Sequence, residues 1–555
     1  MSNQLKVYID NLGRYVDFNG GETLLDICRR VGDELGFTPI CAHVNNKTEG
    51  LRFPLFAPKK VNFLDVTSSS GQRVYVRSLC MTLYHAVIEL CPGSRLSVEH
   101  SVSRGHYCRI SGVKVTPTLV ERLKAHMQSL IDRDIPFMPK ERLTSDVKRL
   151  FSDEGLDDKV LLLDTVHQLY TTYYTMDGLN DSYYGALAPS TGLLKAFDLQ
   201  PYHDGLLLLA FDPADPSRPM SSVTQAKMFK AFTDHLAFNN VIGVKNVGEL
   251  NRAVEHGNSA DLINVAEALH DKKISSIADD IAARHAKGGA RIVLIAGPSS
   301  SGKTTTTKRL ATYLMTDLLK PIMISLDDYF VDRHLTPRDE TGDYDYESLY
   351  ALDLELFNSH LNALIRGEEV EIPRYNFETG TRSFNGNRLR MDDNTVLLIE
   401  GIHGLNPELT SHVPEKMKYR VYVSALTTLS IDDHNWVPTT DNRLLRRIIR
   451  DHKYRGTSAI ETLRRWPSVR RGEERWIFPY QENADAMFNS SLLFELGVMK
   501  EYGEEILSRV PHDVPEYAEA YRLLKFLSYF APISDNAIPP TSLLREFLGG
   551  SSFKY

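Results

Sequence analysis

Apolar positions change their period along the 555-residue chain, and the changes divide it. From residue 1 to 75 they alternate: Leu5, Val7 and Ile9, then Tyr15 and Val16, with Asn19-Gly20-Gly21 as a turn. Thr23 then stands before an amphipathic run of Leu24, Leu25, Ile27 and Val31, and residues 41–44 and 61–66 read as further strands. This is the pattern of a small β-grasp domain. Residues 76–225 read as α+β, with a helix at 79–90, a Pro92-Gly93 break and a strand at 96–100. Residues 226–288 are a helical connector, whose helical spacing over 260–269 ends at Lys287-Gly288-Gly289. From 289 to 555 the period changes again. Short apolar runs at 291–296, 322–326 and 395–399 read as buried parallel strands, and Leu310, Ala311 and Leu314 mark one face of a helix over 305–317. The expected fold is multidomain α/β, its last domain a parallel sheet flanked by helices.

Composition narrows this little. A length of 555 residues implies three or four domains. With 42% hydrophobic and 25% charged residues and a net charge of −8, nothing global points to nucleic acid or a lipid surface. The start Met1-Ser2-Asn3-Gln4-Leu5-Lys6 shows no basic-then-apolar signal, and the longest apolar run, 206–211, is far too short to cross a bilayer. The expectation is a cytoplasmic protein with no membrane partner. Cys28, Cys41, Cys80, Cys91 and Cys108, odd in number and without C-x-x-C spacing, read as reduced, buried thiols.

The chemistry concentrates in one stretch. Gly297-Pro298-Ser299-Ser300-Ser301-Gly302-Lys303-Thr304 matches G-x-x-x-x-G-K-[ST] between a strand and a helix. Backbone N–H groups of Gly297, Ser299, Ser300, Ser301, Gly302 and Thr305 would converge on the phosphates of ATP. Lys303 would reach its β- and γ-phosphates, and the Thr304 hydroxyl would ligate Mg²⁺. Asp327 and Glu400 leave the C-terminal edges of two strands, where parallel sheets bind ligands, and are placed for Mg²⁺ and an attacking hydroxyl. Arg443, Arg446, Arg447 and Arg450 recur at helical spacing, with Leu444, Leu445, Ile448 and Ile449 opposite. Ten arginines and one lysine against four acids over 443–475 suggest a phosphate-neutralising lid, spanning 441–478, with one helix face free.

These residues carry a close resemblance to the uridine kinase and phosphoribulokinase family over about 290–500. The family's ordered motifs are matched by Ser325-Leu-Asp327-Asp-Tyr-Phe330, Tyr344-Asp345, Ile372-Pro-Arg-Tyr375-Asn-Phe377, Glu400-Gly-Ile402 and Asp441-Asn-Arg443-Leu-Leu-Arg446-Arg447-Ile-Ile-Arg450-Asp451. The resemblance implies Asp327 as catalytic base and metal carboxylate, Glu400 as second metal carboxylate, and Asp345 on ribose hydroxyls. It places Tyr375 and Phe377 in a nucleoside pocket, and Arg443 with Arg447 between acceptor and phosphates. It implies a nucleoside kinase; a homo-oligomer is expected beside it, without a sequence feature that fixes its size. A pyrimidine-reading His of uridine-cytidine kinases falls on Gly380 here, with Arg382 or Glu378 as neighbours able to replace it.

Residues 1–75 resemble the TGS domain, and 76–225 the second additional (editing) domain of threonyl-tRNA synthetases. That domain's H-x-x-x-H and C-x-x-x-H are missing: His85 has Met81 and Glu89 one turn away. Hydrolysis of aminoacyl-tRNA is therefore not expected, and the half's role is binding or regulation. His100, His106 and Cys108 read as packing residues, as do the tyrosines at 170, 173, 174, 183, 184 and 202. A second reading is a nucleotide-switched protein whose N-terminal half binds tRNA or the ribosome. Asp339-Glu-Thr-Gly342 spells the D-x-x-G of a switch, but no N-K-x-D follows.

Overall fold

The computed structural model describes residues 4–340 and 342–554. Met1–Asn3 of the start and Thr341 of D-x-x-G lie outside the described residues.

The first sheet has five strands in the order Arg14–Asn19, Gln4–Ile9, Lys60–Leu64, Cys41–Val44, Lys47–Gly50. The helix Leu24–Leu35 buries Leu24, Ile27 and Val31 against it, with Thr23 and Asp26 forming a reciprocal cap. Lys47–Gly50 is unforeseen because its residues are polar and half-buried.

The long helix Ser69–Leu90 begins ten residues before the apolar pattern suggests. It lies against a four-stranded antiparallel sheet ordered Asp198–Tyr202, Gly205–Leu209, Gly105–Ser111, Arg95–Val102. All five cysteines are free and buried. Tyr173, Tyr174, Tyr183 and Tyr184 are buried, whereas Tyr170 is exposed.

In the C-terminal part the parallel sheet runs Lys320–Ser325, Thr395–Glu400, Ile292–Ala296, Lys418–Ser424, Ala486–Asn489. Its strands are apolar on both sides because both sides are covered. Val293, Ile295, Val396, Leu398, Val421 and Val423 face one core, and Ile292, Leu294, Ile324, Leu397 and Ile399 the other.

A hairpin of this part, Ser430–Asp432 with Asn435–Trp436, enters the N-terminal half. Lys159 Nζ sits 2.9 Å from both Asp181 and Asp432, and His434 Nδ1 lies 2.9 Å from Asp181. Val98 N–H donates to Asp433 O at 2.7 Å, and Trp436 packs on His106.

Candidate active site

The loop after Ile292–Ala296 is shaped by its two fixed glycines. A Cβ on Gly297 would come 2.0 Å from Val423 O, and Gly302 has φ +85 at the start of the helix Lys303–Thr316. Ser299 is braced on three sides. Its N–H donates to Glu473 at 3.1 Å, its carbonyl accepts from Arg443 at 3.0 Å, and its hydroxyl bonds Arg447 at 2.9 Å. The Ser300 and Ser301 hydroxyls are buried without a partner. Lys303 folds back over the loop, its ammonium 3.1 Å from Pro298 O. Thr305, expected on the phosphates, gives its N–H to Glu546 near the chain's end, at 3.3 Å.

Beside the loop the structure gathers the expected carboxylates. Glu400 Oε1 accepts from Thr304 Oγ1 and from Ser325 Oγ, each at 3.3 Å. Desolvation, with Asp327 and Glu546 nearby, pushes its carboxyl up to about 7 against the pull of Lys303. Asp327 sits in the tight turn Leu326–Tyr329 that ends the strand Lys320–Ser325. Its side chain opens to water in the cleft yet is walled by protein, so desolvation raises its pKa while Lys303, Arg455 and Arg450 pull it down. Glu347, two residues past Asp345, is a third such acid: burial and the Glu473 charge lift it to about 7. Hydroxyl and carboxylate oxygens without a dedicated cation are the donor set that suits Mg²⁺.

The arginine-rich segment departs from expectation. The arginine face of the helix Thr439–Arg455 is only partly free, since Arg443 and Arg446 are as buried as Leu444, Leu445, Ile448 and Ile449. Arg443 forms a two-pronged pair with Glu473 on the next helix, Ala459–Trp476, and Arg446 pairs with Glu495. Two guanidiniums thus hold the loop and core rather than standing ready for a substrate. Arg447 and Arg450 keep an opening to solvent while sharing Asp451. Asp441, at the helix start, is held by Arg522 at 2.6 and 2.9 Å.

On the far side of Asp327 an aromatic cluster forms. Phe330 lies 5.5 Å from Tyr375 and 6.0 Å from Phe377 between ring centres, with Tyr346 at the edge. Tyr375 is buried with its hydroxyl unpartnered, whereas Phe377 is exposed. Asp345 is half-buried and accepts from Glu347 N–H at 3.1 Å. Arg382 does not replace the absent side chain at Gly380, because its guanidinium is bound to Asp353 at 2.9 Å. The Glu378 carbonyl accepts from Arg333, while its carboxylate is exposed to solvent. Arg333 itself fills the space: its Nε lies 2.6 Å from where a Cβ of Gly380 would be, and that Nε–H is buried without a partner.

Sequence reasoning missed Glu347, Glu473, Arg333 and Glu546. Glu347 follows the Tyr344-Asp345 step closely enough to have been seen. Arg333 stands 47 residues before Gly380, and no local pattern signals their meeting. His100 stacks on Phe232 and His106 bonds Ser101 at 3.0 Å, both as packing residues. Asp339 closes a turn with Gly342 and pairs with Arg471.

Residues 292–492 match the model of the phosphoribulokinase / uridine kinase family. A uridine kinase of Halobacterium salinarum is 30% identical over 195 residues, 34% of this chain and 76% of that one. A uridine kinase of Brevibacillus brevis is 29% identical over 202 residues, 36% of this chain and 85% of that one. The N-terminal part is similar to threonine–tRNA ligases; that of Rubrobacter xylanophilus is 28% identical over 189 residues, 34% of this chain. The chain spans 29% of that ligase's length.

Proposed function

This chain belongs to the phosphoribulokinase / uridine kinase family, and from that premise we propose that it is an ATP-dependent small-molecule kinase phosphorylating a primary hydroxyl of a nucleoside-type acceptor. The observation that carries the reading is the meeting of Thr304, Asp327 and Glu400 beside the phosphate loop, at the edge where ligands of parallel sheets sit. Loop N–H groups and Lys303 would hold the ATP phosphates, and Thr304, Glu400 and Asp327 would hold Mg²⁺. The bound metal ion supplies charge neutralisation along the phosphate chain. Asp327 accepts the hydroxyl proton as the oxygen attacks in line, and Arg447 and Arg450 face the transferring group. Phe330, Tyr375 and Phe377 stack the acceptor's base, and Asp345 holds its ribose. Arg443 acts at one remove, by fixing Ser299.

The domain limits 1–75, 76–225, 226–288 and 289–555 are part of the proposal. The switch reading is not favoured, since the matched relatives of this region are kinases. A panel of nucleosides and sugar phosphates with ADP release as readout tests it. Acceptor-dependent ADP supports the kinase; ADP released only on adding tRNA or ribosomes refutes it.

A further inference from the structure

Away from the cleft, two helices of the N-terminal half bring together three metal-ligating side chains. His85 and Glu89 lie one turn apart on Ser69–Leu90, so they share a face. The helix Pro117–Asp132 packs alongside and supplies His126. Glu89 Oε2 lies within reach of both rings: it is in hydrogen-bond contact with His126 Nε2 and is 3.8 Å from His85 Nδ1. The imidazoles are nearly parallel, 21° apart with centres 6.5 Å distant. One donor atom from each residue falls within 4.8 Å of the others.

Simple packing leaves one feature unexplained. His85 is 4% exposed, and its Nδ1 is buried with no hydrogen-bond partner, because 3.8 Å is too long for one. Buried polar nitrogens are ordinarily satisfied. The charges facing His85 are Glu89, Asp177, His126 and Arg133, and Arg133 is already taken by Asp177 at 2.6 Å. Glu89 is exposed and His126 half-buried, which leaves a path from solvent.

We propose that His85, Glu89 and His126 form a zinc-type divalent-metal site, with two nitrogens and one carboxylate oxygen as ligands and a fourth position for water. Imidazole nitrogens select such an ion over Mg²⁺, which favours the oxygens of the kinase cleft. The site rests on residues other than those read as kinase machinery, so it stands or falls apart from that activity.

The test is a Co²⁺ titration of the metal-stripped full chain in excess Mg²⁺, followed by visible ligand-field absorption and then by displacement with Zn²⁺. One Co²⁺ per chain, displaced by Zn²⁺, is expected. Loss of even an outer-shell partner costs 10–100-fold in metal affinity, so His126→Ala and Glu89→Gln should each weaken binding by roughly 100-fold or more. Both positions are accessible, so these variants fold even where His85→Ala does not. His167→Ala, on an exposed histidine elsewhere, should bind as the wild type does. No Co²⁺ signal in the wild type, or unchanged affinity in both variants, overturns the proposal and leaves Glu89 and His126 as a plain ion pair.

Discussion

Buried carboxylates are partnered differently where the two halves meet and in the kinase cleft. At the hairpin joint, Lys159 is 1% exposed and touches two carboxylates, Asp181 and Asp432. Against the cost of burial, Lys159 and His434 hold Asp181 well below the ordinary carboxylate range and Asp181 raises His434, while burial beside Asp158 and Asp181 still raises Asp432 despite Lys159. In the cleft, desolvation lifts the carboxyls of Glu400, Asp327 and Glu347, with the Asp327 charge adding to the rise of Glu400 and the Glu473 and Asp327 charges to that of Glu347. Paired charges at a joint hold two bodies in one arrangement. Like charges left together incur a standing electrostatic cost, which a ligand cation can relieve. The difference separates ionisable residues sealed inside a joint from those that line an open cleft, where Asp327 is exposed and Glu400 and Glu347 are half-buried.

The largest effect that can break this contrast is on stability. Lys159→Met leaves Asp432 buried without its cation and Asp181 with His434 alone, and breaking a buried pair this way costs about 3–5 kcal/mol. Urea unfolding should register that loss while turnover of the folded fraction stays near wild type. A cost under about 1 kcal/mol would mean that the joint is hydrated and the contrast false. Next in size are Lys303→Ala and Asp327→Asn, each expected to lower kcat by ~10² or more with unchanged Tm, as when one charged transition-state contact is lost. Near-normal turnover in Asp327→Asn refutes its assignment as base.

How far the sequence foretells these two regions follows from the range of the interactions. The strands Ile292–Ala296 and Thr395–Glu400, the loop between Gly297 and Thr304, and the placing of Asp327 and Glu400 are all written in local apolar runs and fixed glycines. The helical spacing of Arg443, Arg446, Arg447 and Arg450 was legible too, but not which face would be covered. Glu473 and Glu495, which bury the first two, lie 30 and 49 residues further on. Periodicity shows where side chains share a face, whereas their partners are set by tertiary packing. Lys159, Asp181 and Asp432 illustrate the same limit, since no pattern within 250 residues joins the first to the last.

A smaller effect sharpens the cleft side of the comparison. With Glu400 raised to about 7, the metal-free protein keeps that proton up to neutrality, whereas the unfolded chain releases it near the ordinary glutamate value. Stability from this group is therefore complete below about pH 4.5 and is lost as pH rises through 7. Mg²⁺ requires the ionised carboxylate, so its affinity should fall as pH drops below 7, by up to about tenfold per unit. Differential scanning and Mg²⁺-dependent rates between pH 5.5 and 8 measure both slopes. Glu347→Gln should alter the stability slope but leave the Mg²⁺ slope, and Glu400→Gln should reduce the latter to what Asp327 contributes. A flat Mg²⁺ profile would remove Glu400 from the metal site.

The smallest expected effect concerns the acceptor's base. A histidine at position 380 would carry both a donor and an acceptor nitrogen, but here a glycine at φ +72 leaves the space to Arg333. The Arg333 end groups already donate to the carbonyls of Phe377 and Glu378, so only its buried Nε–H is left for a ligand. A lone donor accepts any base that turns a carbonyl or ring nitrogen toward it, and every common base has one. Sites that demand a particular hydrogen-bond pattern discriminate by about 10⁴ or more, whereas shape gives about 10–200-fold. Ribosides of different bases should therefore differ in kcat/KM by no more than about 200-fold, with ribose still required through Asp345. Arg333→Ala should raise KM for every base by a similar factor, about tenfold, because one uniform contact is lost. If uridine and cytidine exceed all other ribosides by ~10⁴, a pyrimidine edge is being read by some group other than Arg333, and the glycine at 380 carries no such meaning.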